Sequence, residues 1–148
     1  MILPDFKCIG NFGRLIGIDW GARRTGVAIT DESRSFVFAR KPIVSKNADD
    51  LLGKVISLIK EEHVAGIVIG LPLRMDGSES DTTKMVRDFA ESLSAQIDLP
   101  IVFLDETLSS SAAQESMGRV RVRDIKEQLD SESARVILEN AIGMINRK

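Results

Sequence analysis

The chain is 148 residues long, 43% apolar and 28% charged, which is enough for one domain that buries roughly 70% of the surface its unfolded form would expose. Twenty Lys and Arg against 22 Asp and Glu give a formal charge of −2 and a pI near 5.5; this excludes a generically basic nucleic-acid coat, but not local basic clusters beside an acidic site. The single Cys8 and single His63 exclude an intramolecular disulfide framework and the usual zinc-ligand sets.

The N-terminal "MILPDFKCIGNFG" has Asp5 where a signal peptide carries basic residues. No stretch is apolar over the length that spans a bilayer. A cytoplasmic protein with no membrane partner is therefore expected. Three short strand signals follow, at Leu15 to Asp19, Gly26 to Thr30 and Ser35 to Ala39, spaced as an antiparallel meander. Leu51, Leu52, Val55, Leu58 and Ile59 then recur at helical spacing, with Asn47 placed as cap. "GIVIG", Gly66 to Gly70, is a buried strand. The polar "LRMDGSESD" leads into a helix whose stripe is Met85, Val86, Phe89, Ala90, Leu93 and Ile97, with Asp76-Gly77 as a turn and Ser78 or Ser80 as cap.

Pro100 introduces the strand "IVFLDE". "TLSSSAAQESM" is expected to be helical, the charged residues 118–128 to be mobile, and the end of the chain to be a helix with Ala134, Ile137, Leu138, Ala141, Ile142 and Ile145 on one stripe. An opening meander followed by alternating helices and strands predicts an α/β fold: a five-stranded mixed sheet in the order 3-2-1-4-5 with helices on both faces.

Four acids stand out against this frame. Asp19 ends an apolar central strand, where an ionised carboxylate costs several kcal/mol of lost hydration without a compensating cation or donors; a turn cap over Trp20-Gly21 is the alternative. Asp105 and Glu106 close the fifth strand, where open α/β sheets place their chemistry. Neighbours on a strand point to opposite faces, so only one of them can share a face with Asp19. Gly70 on the intervening strand leaves room for the longer acid, which favours Glu106 as the reaching group and Asp105 as its support; a capped strand end is the alternative. Asp130 precedes Ala134 by four residues, in register with the buried stripe, and is either an N-cap or a ligand aimed over the sheet. Oxygen ligands without a His or Cys cluster select hard ions, Mg²⁺ or Mn²⁺. Such ions bind phosphate oxygens and activate water, which points to phosphodiester hydrolysis.

"GIDWGARRTGVAITD", "IVIGLPLRMDGSES", "DETLSS" and "DSESARVIL", in this order and spacing, resemble the YqgF (RuvX) family of Holliday-junction-resolvase-like proteins, also described as pre-16S rRNA nucleases. The resemblance runs from about Leu15 to the last helix. It implies a ribonuclease H-like fold for residues 1–148, with 1–13 as an N-terminal extension. It further implies a metal-dependent nuclease that processes the 5′ end of precursor 16S rRNA, with Asp19, Glu106 and Asp130 as metal-binding catalytic acids and Asp105 as a further candidate ligand. Structured RNA is the implied partner. The alternatives are resolution of branched DNA, which would favour a homodimer, and a non-catalytic ribosome-assembly module of the same fold. An Asp-x-Gly hairpin also opens the phosphate sites of actin-like ATP-handling proteins, but those need two such domains.

Arg23, Arg24, Arg74, Arg119, Arg121 and Arg123 are the candidate phosphate contacts, set against the plainer reading of a solvated charged surface. The loop "GLPLRMDGSES" is a candidate phosphate cradle, again against a plain turn into a helix. Three positions depart from the family pattern: Thr107 stands where an arginine is usual, Ser133 where an alanine is usual, and Trp20, a larger ring, where the aromatic follows the first acid.

Overall fold

The computed structural model describes residues 2, 9, 12–105 and 122–146, with side chains of the last helix described over 132–145. In chain order the elements are β1 (Arg14–Asp19), β2 (Arg24–Thr30), β3 (Val37–Val44), α1 (Ala48–Glu61), β4 (Val64–Leu71), α2 (Asp81–Gln96), β5 (Ile101–Asp105) and α3 (Val122–Asn146). The strands form one sheet in the order β3-β2-β1-β4-β5. The β1–β2 and β2–β3 pairs are antiparallel, and the β1–β4 and β4–β5 pairs are parallel. This is the mixed sheet that the alternation of elements predicts.

Period-two alternation sorts the strand residues between two cores. Ile16, Ile18, Val27, Ile29, Ile67, Ile69 and Ile101 pack against α1 and α2, which contribute Leu51, Val55, Ile59, Val86, Phe89, Ala90 and Leu93. Leu15, Ala28, Val68, Val102 and Leu104 face the other way, onto Ala134, Ile137, Leu138 and Ala141 of α3. Each of these large aliphatic side chains contributes about 1.5–3 kcal/mol by leaving water. The helices therefore lie on both faces of the sheet.

Local chemistry explains the helix starts. The Asn47 side chain accepts from the Asp50 N–H at 2.8 Å. Ser80 and Thr83 form a capping box, each side chain bonded to the other's backbone N–H. His63 stands just past the end of α1 in the left-handed region, at φ 54°, and β4 starts at the next residue.

Three expectations need correcting. The third strand is not Ser35 to Ala39 but runs on through Pro42 to Val44; an edge strand tolerates a proline because the missing N–H need not bond a neighbour. Met85 is 53% exposed, because Val86, Phe89, Ala90 and Leu93 already fill the buried stripe of α2. The last helix begins at Val122, so Asp130 sits eight residues inside it and is not its N-cap. Of the segment 118–128, residues 122–128 belong to this helix; residues 118–121, and the helix expected over 107–117, lie outside the described residues.

Candidate active site at the carboxyl end of the central strands

Asp19 is the last residue of β1 and is half-buried. It has the parity of Leu15 and Gly17, so it belongs to the face that α3 covers. Its antiparallel partner on β2 is Gly26. On its other side, one step beyond the Ile18–Ile69 pair, lies Gly70 of β4, which pairs in turn with Leu104 of β5. The row across the sheet thus reads Gly26, Asp19, Gly70, Leu104, and both glycines are buried. Neither neighbour of Asp19 in this row carries a side chain.

The turn after Asp19 is built to hold it still. A Cβ on Gly21 would lie 2.0 Å from the Arg24 carbonyl oxygen, so only glycine allows the chain to fold back this tightly. The Thr25 hydroxyl donates to the Gly21 carbonyl at 3.2 Å and accepts its N–H at 3.3 Å. Trp20 points to the opposite face, packed against the core shared with α1 and α2.

Asp105 does not share that row. It pairs with Leu71, has the parity of Ile101 and Phe103, and is exposed on the α1 and α2 side of the sheet. Glu106 lies outside the described residues. Asp130 is on α3, with its side chain outside them. Among the described residues no three Asp, Glu, His or Cys side chains cluster as a metal site. The donor chemistry that is described still fits a hard cation: a half-buried carboxylate, on the covered face of the sheet, at the strand end, between two glycine positions.

The candidate phosphate contacts spread around this end of the sheet. Arg23 is exposed and Arg24 half-buried in the β1–β2 turn, with the Arg23 carbonyl accepting from Ser45 N–H at 3.0 Å. Arg74 is exposed on the loop between β4 and α2. Arg119 and Arg121 lie outside the described residues, as does the side chain of Arg123 on α3. Gly17 and Gly26 are the positions that the sequence reading missed; strand alternation from Asp19 was the signal that could have found them.

Residues 13–143 match the RuvX family, described as Holliday junction resolvase. The chain belongs to the RuvX family. A relative in Maridesulfovibrio salexigens, named "Putative pre-16S rRNA nuclease", is 41% identical over 128 residues, spanning 85% of this chain and 95% of that protein. Another of the same name, in Sphingopyxis alaskensis, is 40% identical over 147 residues, spanning 97% and 96%. Among solved structures, Thermus thermophilus RuvC in complex with a Holliday junction substrate superposes with a TM-score of 0.59 at 9% identity, over 88% of this chain and 96% of that one. The fowlpox virus Holliday junction resolvase gives 0.53 at 9% identity, over 88% and 98%. The RuvX chain described here thus has the ribonuclease H-like fold. No helix among its described residues is long and apolar enough to cross a membrane.

Proposed function

We propose that this RuvX-family chain is a metal-dependent nuclease that hydrolyses phosphodiester bonds in precursor 16S rRNA, with Asp19, Glu106 and Asp130 holding Mg²⁺ or Mn²⁺. The observation that carries the reading is the row Gly26, Asp19, Gly70, which sets a half-buried carboxylate on the α3 face between two positions that carry no side chain. Asp105 takes the opposite face, which leaves Glu106 as the member of the Asp105-Glu106 pair assigned to the ion. Helix α3 passes over β1 at Gly17, beside Ala134 and Leu138. Asp130 is one turn before Ala134, about 6 Å along the helix, and Asp19 is two residues beyond Gly17, about 6.6 Å along the strand. Asp105, on the opposite face, has no part in holding the ion.

A bound hard cation supplies Lewis-acid stabilisation of phosphate oxygens and lowers the pKa of water. The chain's own residues do the rest. The Gly21–Thr25 turn fixes the backbone just after Asp19, and Arg74 and Arg23 place positive charge where a substrate backbone would pass.

The test is purified protein with Mg²⁺ or Mn²⁺ on precursor 16S rRNA and, in parallel, on four-way junction DNA, beside Asp19→Asn. Metal-dependent cleavage of the rRNA that Asp19→Asn abolishes supports the proposal. Cleavage of the junction alone moves the substrate to branched DNA, and cleavage unchanged in Asp19→Asn removes the site.

A further inference from the structure

The loop between β4 and α2 carries at its tip an apolar side chain that nothing in the fold covers. Met75 is 97% exposed, well beyond the other exposed large apolar side chains among the described residues. The loop beneath it is firmly tied. Leu73 and Glu79 form a bridge, the Arg74 N–H donates to the Ser78 carbonyl at 2.9 Å, and the Gly77 N–H donates to the Arg74 carbonyl at 2.8 Å. Asp76 Oδ1 accepts from the Ser78 N–H at 2.9 Å and from its hydroxyl at 2.6 Å, and Gly77 takes the left-handed φ of 86° that closes the turn. At the base, Arg87 pairs with Glu79 at 2.8 Å. These contacts brace the loop with Met75 at its exposed tip.

The loop also starts from the right place. Leu71, the last residue of β4, directly follows Gly70, the neighbour of Asp19. Around Met75 the residues Arg74, Asp76, Ser78 and Glu79 are exposed and polar. A single apolar tip in polar surroundings lacks the contiguous patch that a protein partner needs. It suits a narrow apolar gap bordered by negative charge, such as the space between two stacked bases beside a phosphate. Unbranched apolar side chains, methionine among them, act as wedges at such steps.

We propose that Met75 is a specificity-determining wedge: it enters the base stack next to the scissile phosphate while Arg74 contacts the adjoining phosphate, so that the enzyme selects RNA whose stack is already broken there over uniform duplex. The assignment rests on the nuclease reading above.

The test uses two RNA duplexes of one sequence, one of them with a single unpaired nucleotide flanked by 2-aminopurine. Binding of the wild-type chain in Ca²⁺ raises the 2-aminopurine fluorescence, and in Mg²⁺ the interrupted duplex is cleaved in preference. Met75→Ala removes the fluorescence rise and lowers kcat/KM on the interrupted duplex by about tenfold, in line with the loss of one base-stacking contact. Met75→Phe keeps both. A Met75→Ala chain with the same fluorescence rise and the same preference overturns the wedge and leaves the nuclease reading standing, as does an equal loss on both duplexes. If the wild-type chain cleaves precursor 16S rRNA but neither duplex, the wedge alone is overturned; if Asp19→Asn cleaves as the wild type does, the nuclease site falls and the wedge with it.

Discussion

Leu138 stands directly over Gly17: a Cβ built on Gly17 would lie 2.6 Å from Leu138 Cγ and 2.9 Å from the Ala134 carbonyl oxygen. Helix α3 therefore rests on the backbone of β1, two residues short of Asp19. Gly17→Ala has to lift the helix or distort Leu138, at a cost of about 1–3 kcal/mol for overpacking a close-packed contact. Urea unfolding should show that loss. Cleavage by the folded fraction should fall with it, because the proposed site at Asp19 lies two residues along the same strand.

The two described acids at the strand ends make opposite predictions. Asp19→Asn removes a charge from the face that α3 covers and should lower kcat about a hundredfold or more, equivalent to several kcal/mol of lost stabilisation. Asp105→Asn changes an exposed residue on the other face and should leave kcat within about a factor of three, well under 1.4 kcal/mol. Single-turnover cleavage of precursor rRNA at saturating metal compares the two; equal losses would place both carboxylates in one site.

Arg34 is buried, sits at φ 60°, and donates from Nε to the Gly13 carbonyl at 2.7 Å and from a terminal nitrogen to the Phe12 carbonyl at 2.9 Å. Burial lowers its pKa below the ordinary arginine value, but a guanidinium stays charged at any ordinary pH. It ties the turn between β2 and β3 to the segment leading into β1. Arg34→Met removes both donors, leaves two carbonyls unpaired, and should destabilise the fold by about 2–3 kcal/mol, measured as a lower urea midpoint at unchanged slope.

The loop that presents Met75 should loosen in acid. The hydroxyl and N–H of Ser78 hold the Asp76 carboxyl below its ordinary value of 3.8. Because the folded value is the lower one, the bracing is fully present above about pH 4, where the carboxylate is ionised in folded and unfolded chains alike, and is lost as pH falls through the folded value. NMR titration of the Asp76 carboxyl should give a midpoint below 3.8, and Ser78→Ala should raise it. A midpoint unmoved by Ser78→Ala would show that the serine does not brace the loop.

The elements of the fold were largely legible because burial leaves a period in the sequence. Leu51, Leu52, Val55 and Ile59 repeat at helical spacing since only that spacing keeps them under one sheet face. The third strand was cut short at Ala39, because an edge strand is free of two-sided burial and Lys41-Pro42 reads as a break. The start of α3 was placed too late for a similar reason. The charged residues after Val122 carry no apolar stripe, and a charged helical turn looks like a loop.

By itself the chain determined which acids were available, the parity that separates Asp105 from Asp19, and the ribonuclease H-like strand order, since these follow from alternation, spacing and motif. Only the tertiary structure decided that Gly26 flanks Asp19 on the side away from Gly70, that Gly17 lies beneath Leu138, and that Met75 stands uncovered on a braced tip. The reason is physical: periodicity records which face a residue takes within its own element. Which residue of another strand or helix lies opposite depends on register and close packing, and these are set by contacts between segments far apart in the chain.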